Sequence, residues 1–384
     1  MIRKQVLGHD LSALAFGAMR LPVLESGAID REAVHAMVDF AIGAGINYFD
    51  TAWAYHGGES ESVMGESLSR FPRDSFCLAT KFPGYEQRER WDPAEVFEEQ
   101  LRKCRVGHFD FYLLHNVYER NLATYLDDSN GIVRYLLDQR EAGRIRHLGF
   151  SAHAREEAFM AFLKAHGPKM EFCMIELNAL DWTLQNARLK YETLKGMGLP
   201  VFVMEPLRGG LLASLSPENE ARLRAMRPDE SVPAWAFRWL QGLPGLGVIL
   251  SGMSSMAQLR ENVGIFANER PLAAPEREAY EAILQGLGDM VPCTNCRYCV
   301  ADCPEGLDIP TFIGFYNDCR VAPSGIVRMA VDGLKPSKRP SACVSCGTCV
   351  GLCPQGIDIP EALKDLTAIL DKIPSFLTPA TEEG

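Results

Sequence analysis

The sequence contains no uninterrupted apolar stretch approaching the ~18 residues that a membrane-spanning helix requires. It begins with the letters MIRKQ, and no apolar signal segment follows them, so we expect no secretory signal. Positive charge is the scarcer sign, because 39 Lys and Arg stand against 50 Asp and Glu and the net charge is −11. We therefore expect neither nucleic acid nor an anionic membrane as a partner.

Intrinsic disorder is also excluded, because the 384 residues are 47% hydrophobic and 9% aromatic, which is ordinary for a globular protein. At ~150 residues per domain this length favours two domains, although a single barrel can occupy ~250 residues. The chain is therefore long enough for a barrel and a second, smaller domain.

The twelve cysteines are distributed unevenly, and nine of them lie in the last quarter of the chain. Eight of these nine form two copies of the spacing Cys-x2-Cys-x2-Cys-x3-Cys-Pro, offset by 50 residues. This is the spacing with which bacterial ferredoxins bind [4Fe-4S] clusters. The first copy consists of Cys293, Cys296, Cys299 and Cys303, and the second consists of Cys343, Cys346, Cys349 and Cys353.

The spacing also predicts which cysteines share a cluster. Two-residue gaps let one tight loop supply three thiolates, and the fourth cysteine, which precedes a Pro, reaches the other cluster. Disulfides suit small secreted domains and zinc favours paired Cys-x2-Cys units, so neither alternative fits this pattern as well. Cluster thiolates must stay reduced, which favours the cytoplasm. We predict one cluster on Cys293, Cys296, Cys299 and Cys353, and a second on Cys343, Cys346, Cys349 and Cys303.

The residues that follow the cysteines predict a mainly helical module. Each copy is followed by Asp-Ile-Pro, at Asp308 and Asp358, in which Asp can cap a helix and Pro can occupy its first turn. We expect a helix at 310–317 and a ferredoxin-like two-cluster domain at 288–372, followed by a C-terminal tail at 373–384. The cysteines outside both copies are expected to be buried as small hydrophobic side chains; they are Cys77, Cys104, Cys173 and Cys319.

The first 285 residues alternate between short apolar runs and amphipathic stretches. Eight strand–helix repeats predict parallel strands with outer helices, and this length fits a closed (β/α)8 TIM barrel at 1–285. An open doubly wound sheet is the alternative, but no Gly-x-Gly-x-x-Gly follows a first strand. The predicted strands are 13–19, 46–49, 76–80, 109–114, 145–150, 171–176, 200–204 and 247–250, and the predicted helices are 31–42, 60–69, 94–104, 133–141, 156–165, 185–195, 231–240 and 256–267.

Polar side chains at the carboxyl ends of the predicted strands form a candidate active site, because barrels of this kind place their active sites there. Asp50 ends the second strand, and Tyr55 follows in the next loop. Lys81 ends the third strand and His115 ends the fourth. The set suits carbonyl reduction: Tyr55 would protonate the carbonyl oxygen, and the Lys81 ammonium would lower the pKa of the phenol. Asp50 would keep Lys81 charged, and His115 would orient the carbonyl.

Taken singly, each of these residues also has a structural explanation. Tyr55 could be a surface loop residue, Lys81 and Asp50 could form a structural ion pair, and His115 could be a core histidine. Their placement at three successive strand ends favours the catalytic interpretation.

Four segments resemble the aldo/keto reductase family: MRLP at 19–22, FDTAWAY at 49–55, LLH at 113–115 and GFS at 149–151. The likeness extends over 2–285, and the cysteine-rich end is similar to the iron–sulfur branch of that family. The resemblance implies a (β/α)8 barrel that binds NADPH extended across the strand ends. It also implies a catalytic tetrad of Asp50, Tyr55, Lys81 and His115.

The resemblance further implies where a dinucleotide would bind. Ser151 corresponds to the serine that holds the nicotinamide amide. The segment 252–262 corresponds to the adenosine site, with Glu261 and Asn262 at the adenine. In the loop over the diphosphate, glycines permit close backbone approach and Arg208 can contact phosphate. This loop consists of Pro206, Leu207, Arg208, Gly209 and Gly210.

The sequence departs from the family at five cofactor positions. Ala152 replaces the Asn after the serine, Met174 replaces a Gln on strand six, and Met204 replaces a stacking Tyr on strand seven. Gly252 and Gln258 replace the Lys and Arg that often bind the 2′-phosphate. Met204 can still pack on a ring through its thioether. We therefore expect either NADP(H) or NAD(H), with a flavin as a further alternative.

Three hypotheses connect the two halves of the chain. In the first, the barrel interconverts a small carbonyl compound and its alcohol while the clusters exchange electrons with a redox partner or a second cofactor. A flavin would suit that exchange, because it links hydride transfer to single-electron transfer. In the second, the clusters are structural or sense oxygen. In the third, the chain is a non-enzymatic electron-transfer subunit that uses its barrel for docking.

Overall fold

The computed structural model describes residues 1–84, 91–118, 121–154, 156–286, 291, 293, 298–321, 325–353 and 357–374. The chain divides into two compact units, Met1–Glu281 and Ala282–Gly384. Within the described residues, the structure has no helix that is both long enough and apolar enough to span a membrane.

The first unit is built around a closed barrel of eight parallel strands, which confirms the predicted fold. The strands run in chain order from β3 to β10, and β10 pairs with β3 to close the barrel. A short antiparallel hairpin, β1–β2, precedes them. The strands are β1 (Arg3–Val6), β2 (His9–Ser12), β3 (Leu14–Gly17), β4 (Tyr48–Asp50), β5 (Cys77–Phe82), β6 (Phe109–Val117), β7 (Ile145–Ala152), β8 (Cys173–Glu176), β9 (Val201–Met204) and β10 (Leu246–Gly252).

Each predicted strand overlaps one barrel strand, because fully buried parallel strands are continuous apolar runs that a sequence displays directly. The hairpin was not predicted. Its strands have four residues each, and their turn is formed by Leu7 and Gly8, both at positive φ. Val6 and Leu11 belong to the same buried cluster as barrel residues such as Phe111, so the hairpin contributes to the core.

Helices separate the barrel strands, and eight of them match the predicted helices. Asp30 and Asp92 cap α1 and α3 by accepting hydrogen bonds from backbone N–H groups of the first turns. The short or polar helices α4, α7 and α9, and α12 at the end of the unit, were not predicted. The helices are α1 (Arg31–Gly43), α2 (Ser60–Leu68), α3 (Pro93–Cys104), α4 (Leu122–Leu126), α5 (Ile132–Glu141), α6 (Glu156–His166), α7 (Asp181–Leu184), α8 (Ala187–Gly196), α9 (Pro217–Met226), α10 (Val232–Gln241), α11 (Met256–Ile265) and α12 (Ala274–Gly286).

The described part of the second unit is helical, as the sequence predicted. Asp358 caps the last helix by accepting a hydrogen bond from the Glu361 N–H, and the helix expected at 310–317 lies inside the longer α14. Ile313 and Leu363 are fully buried in the core of this unit. Its helices are α13 (Tyr298–Ala301), α14 (Ile309–Val321), α15 (Gly325–Asp332), α16 (Thr348–Leu352) and α17 (Ile359–Leu370).

Candidate active site and cysteine-lined cavity

The structure brings Asp50, Lys81 and Tyr55 into contact at the carboxyl ends of β4 and β5. The Lys81 Nζ donates to Asp50 Oδ1 at 2.5 Å, to the Thr51 carbonyl at 2.8 Å and to the Tyr55 hydroxyl at 3.3 Å. Asp50 and Lys81 are 2% and 1% exposed. The arrangement follows from the register, since Asp50 pairs with Ala79 and Lys81 lies two residues further along β5. One buried ammonium therefore holds a carboxylate and a phenol.

The electrostatics of this pair keep Lys81 charged. Burial lowers the pKa of Lys81, but Asp50 and Tyr55 together raise it by more, so its net pKa lies above the ordinary value. Burial raises the pKa of Asp50, and the Lys81 ammonium opposes that rise. An ion pair this deeply buried is costly to break, because the remaining charge would lack a counter-ion.

The pKa of Tyr55 differs from the sequence expectation. We expected the Lys81 ammonium to lower it below the ordinary phenol value. Burial is instead the largest influence and raises the pKa of Tyr55, Lys81 opposes it, and the net direction is upward. Tyr55 is therefore a neutral phenol near pH 7. Lys81 lies where it would stabilise the phenolate that forms when Tyr55 gives up its proton.

His115 lies on β6 with its ring facing Tyr55. The two ring centroids are 5.9 Å apart and the ring planes meet at 80°. Burial, followed by the charge of Lys81, holds the pKa of His115 well below its ordinary value, so the imidazole is neutral. A neutral imidazole can donate a hydrogen bond to a carbonyl oxygen without adding a charge to the site. The four residues proposed as the tetrad therefore meet at the carboxyl end of the barrel.

Tyr125 supports His115 and was not anticipated from the sequence. Its hydroxyl is 2.7 Å from the His115 carbonyl oxygen and 3.2 Å from the Phe82 carbonyl oxygen. A Cβ at Gly84 would overlap the Tyr125 ring, so that glycine is required for the approach. The sequence contains no local motif that predicts these hydrogen bonds, because they join Tyr125 of α4 to residues of two different strands, β5 and β6.

Ser151 lies at the end of β7, and its hydroxyl accepts a hydrogen bond of 2.8 Å from the Asn116 N–H. Asn116 has a positive φ of 54°, and its Oδ1 is buried without a hydrogen-bond partner among the described residues. Met174, on β8, is buried in the barrel interior, and Met204, at the end of β9, is half-buried against it. The polar groups of this part of the site are therefore those of Ser151 and Asn116, whereas Met174 and Met204 contribute apolar side chains.

The loop after β9 has unusual backbone geometry. Glu205, Arg208, Gly209 and Gly210 all have positive φ, between 45° and 102°. The Arg208 Nε lies 3.1 Å and 3.2 Å from the two carboxylate oxygens of Asp181. The sequence did not reveal this partner. Pro206 and Leu207 complete the turn, and the Leu207 carbonyl accepts hydrogen bonds from the Gly210 and Leu212 N–H groups.

Asp181, which binds Arg208, also lies close to the carboxyl group of Glu176. Burial, followed by the charge of the neighbouring Glu176, raises the pKa of Asp181 to about 7, although Arg208 opposes the rise. Asn178 donates to Asp181 at 2.7 Å. Arg208 is thus held by an acidic group of its own unit, which reduces its availability for a phosphate.

The segment after β10 only partly matches its expected role at an adenosine. Asn262 is buried, and its side chain donates to the Ser251 hydroxyl at 3.1 Å, whereas Glu261 is exposed. The Gln258 side chain accepts a hydrogen bond from the Ser254 N–H at 2.8 Å, which closes the turn. Gly252 ends β10 beside the side chain of Arg20. Of the two residues expected at an adenine, only Glu261 is exposed.

Four cysteines of the second unit surround one cavity. Leu307, Ile309 and Leu363 supply its apolar walls. Within the described residues, no three His, Cys, Asp or Glu side chains converge closely enough to hold a single metal ion. These thiols therefore line a cavity but do not converge on the position of one metal ion. They belong to Cys303 of the first copy and to Cys343, Cys346 and Cys349 of the second.

The structure describes three of the four other cysteines that we predicted as cluster ligands. Cys299 is buried, and Cys293 and Cys353 are half-buried, all in contact with or part of the core of the second unit. Cys296 lies outside the described residues. The cysteines outside both motif copies are buried as predicted; they are Cys77, Cys104, Cys173 and Cys319.

The fold and the site together define a (β/α)8-barrel protein with a lysine-supported tyrosine at the carboxyl ends of its strands. A family model described as "Aldo/keto reductase family" matches residues 13–284. A second model, described as "4Fe-4S dicluster domain", matches residues 292–357. The chain belongs to the aldo/keto reductase family and includes a 4Fe-4S dicluster domain.

Individual relatives agree with this assignment. An uncharacterized oxidoreductase of Bacillus subtilis (strain 168), YqkF, is 24% identical over 309 residues, which are 73% of this chain and 96% of the relative. L-galactose dehydrogenase of Arabidopsis thaliana is 26% identical over 303 residues, covering 72% of this chain and 92% of the relative. The holo form of the aldo-keto reductase AKR11C1 from Bacillus halodurans has a TM-score of 0.61 at 25% identity, covering 77% of this chain and 99% of that chain.

Proposed function

We propose that the barrel interconverts a carbonyl and an alcohol by hydride transfer with a nicotinamide dinucleotide. The observation that supports this most strongly is the contact of the Lys81 Nζ with both Asp50 and the Tyr55 hydroxyl. Protonation of a carbonyl oxygen requires an acid whose conjugate base is stabilised in place, and this contact supplies it. The L-galactose dehydrogenase relative supports the same reaction class.

Each residue of the tetrad has a distinct role in this proposal. The Tyr55 hydroxyl donates its proton to the carbonyl oxygen, and the Lys81 ammonium stabilises the phenolate. Asp50 holds Lys81 in position and keeps it charged. The neutral His115 imidazole donates a hydrogen bond that orients the carbonyl. When bound, the dinucleotide supplies the hydride.

The residues near β6 and β7 fit the carboxamide of a nicotinamide. Ala152 lacks the amide that the family usually places after Ser151. Asn116 has a buried Oδ1 without a partner in the described part of the chain, and its N–H donates to the Ser151 hydroxyl. We therefore propose that Asn116 supplies the amide oxygen that Ala152 cannot, while Met204 packs on the ring. Both NADP(H) and NAD(H) have this carboxamide, so the site favours neither.

The cavity lined by four cysteines fits one [4Fe-4S] cluster. Three thiols of the second motif copy and Cys303 of the first lie around it, which is the set expected from cross-ligation. We propose that Cys293, Cys296, Cys299 and Cys353 hold the other cluster. When bound, the clusters would exchange single electrons with a redox partner. Reduced thiolates support a cytoplasmic location.

An anaerobic titration of the cluster-loaded protein tests this proposal. NADPH, NADH and FMN are added separately, and binding is followed by nicotinamide fluorescence or flavin absorbance. The complexes with NADPH and NADH are then offered a panel of aldehydes, and the protein with NADP+ or NAD+ is offered a panel of sugar alcohols. We expect at least one nicotinamide dinucleotide to bind and to be turned over. Stoichiometric FMN binding without nicotinamide binding would make the assigned hydride donor wrong, and dinucleotide binding without any turnover would favour the docking hypothesis.

A further inference from the structure

Glu205 is held by two groups that would also attract a phosphate. The Gly209 N–H donates to Glu205 Oε2, and the Arg20 guanidinium lies 3.8 Å from Glu205 Oε1. Gly209 has a φ of 67°, so it adopts the left-handed conformation that directs its N–H to this point. A carboxylate bound by a backbone N–H and a guanidinium occupies an anion-binding position. The loop after β9 and the segment after β3 together create that position.

Arg20 also occupies the space that a side chain at position 252 would fill. A Cβ built on Gly252 would lie 3.3 Å from Cβ, Cγ and Cδ of Arg20. The strands explain the proximity, because Gly17 of β3 pairs with Gly252 of β10 and Arg20 follows Gly17 by three residues. The Ser254 hydroxyl donates to the Arg20 carbonyl at 2.9 Å, which fixes the backbone. The Arg20 side chain therefore lies against Gly252, at the seam where β10 and β3 close the barrel.

The two arginines near the loop differ in their partners. The Arg208 Nε binds both oxygens of Asp181 at hydrogen-bond distance, and its side chain is 16% exposed. Arg20 is 37% exposed, and its distance of 3.8 Å to Glu205 exceeds a hydrogen bond. A Cβ at Gly209 would lie 3.4 Å from Arg20 Nη2, so the guanidinium reaches the glycine loop itself. Arg20 is the better placed of the two to bind a diphosphate.

We propose that Arg20 and the Gly209 N–H bind the diphosphate of the dinucleotide, and that the Glu205 carboxylate competes with it for this position. The inference rests on the proposed function only for the identity of the ligand. Because the diphosphate is common to NADH and NADPH, the contact strengthens the binding of both. Arg20 thereby performs the role that the sequence assigned to Arg208.

The test compares dissociation constants of NADPH, NADH and inorganic pyrophosphate by calorimetry on the cluster-loaded protein. We expect Arg20→Met to weaken both dinucleotides about 10- to 100-fold, as for loss of a charge-assisted hydrogen bond, and Arg20→Lys to recover part of the loss. Glu205→Gln should tighten both roughly 2- to 10-fold by removing the competing charge. The matched control is Arg70→Met, because Arg70 is 39% exposed and pairs with Asp39 beyond the end of α2.

Several results would overturn the inference. One is an unchanged affinity of Arg20→Met for both dinucleotides. A second is a loss of affinity for NADPH alone, which would place the guanidinium at the 2′-phosphate. A third is weaker dinucleotide binding by Glu205→Gln. Pyrophosphate separates this inference from the proposed function. In one outcome, the wild type binds neither dinucleotide and yet binds pyrophosphate with an affinity that Arg20→Met lowers. That result would support the anion-binding site at Arg20 and would show that the proposed nicotinamide cofactor is wrong.

Discussion

Replacing Lys81 by Met should affect both the stability of the barrel and its activity. The Lys81 Nζ has three acceptors, and the substitution leaves Asp50 as a buried carboxylate without a counter-ion. Asp50 Oδ2 already has no hydrogen-bond partner among the described residues, so little compensates for the loss. Breaking a buried pair in this way costs about 3–5 kcal/mol of unfolding free energy. Loss of the phenolate-stabilising charge should lower kcat roughly 10²- to 10⁴-fold.

Urea unfolding, followed by tryptophan fluorescence, measures the loss of unfolding free energy in Lys81→Met. All five tryptophans precede residue 285, so the signal reports the barrel rather than the cysteine-rich unit. The double variant Lys81→Met with Asp50→Asn removes the orphaned charge as well. We expect it to be less destabilised than Lys81→Met by about 1–3 kcal/mol, and equally inactive. A Lys81→Met protein with wild-type stability and wild-type kcat would refute the role given to this contact.

Further changes have defined expected results. Tyr125→Phe removes the hydroxyl that holds the His115 carbonyl, so kcat should fall about 3- to 30-fold with KM for the dinucleotide unchanged; a wild-type kcat would make that contact irrelevant. The raised pKa of Tyr55 and the lowered pKa of His115 keep the proton donor protonated and the imidazole neutral, so the rate of carbonyl reduction should be flat between about pH 7 and 9. A rate that falls steadily over that range would mean that Tyr55 ionises there. Cys303→Ser should remove one of two clusters and about half of the iron, whereas Cys319→Ala should retain all of it; equal iron contents would contradict the role of Cys303 as a cluster ligand.

The barrel could be predicted from the sequence because most residues of its strands are buried. Parallel strands such as β5 and β6 are continuous apolar runs, and the polar residues that interrupt their carboxyl ends mark the site. Asp50, Tyr55, Lys81 and His115 could be brought together on that logic alone, since the ends of parallel strands lie at one face of the barrel.

Contacts between residues that are distant in the sequence could not be predicted from apolar runs or strand ends. Tyr125 reaches the His115 carbonyl from a five-residue helix, and Arg20 covers Gly252 across the seam where the barrel closes. Asp181 binds Arg208 from the first residue of α7. None of these pairs produces a periodic pattern or a fixed spacing. The direction of the Tyr55 pKa shift was also wrong, because burial outweighs the neighbouring charge and burial is a property of the folded barrel.

We propose Tyr55 as the residue that donates the proton to the carbonyl oxygen at the carboxyl end of the barrel. The most direct measurement is turnover of a carbonyl substrate by Tyr55→Phe, alongside its affinity for the dinucleotide. Tyr135→Phe is the control, because Tyr135 is a half-buried tyrosine of α5 that packs against Phe97. We expect kcat to fall about 10²- to 10⁴-fold in Tyr55→Phe while the dinucleotide binds as tightly as before and the clusters remain intact. Wild-type turnover in Tyr55→Phe would contradict the claim.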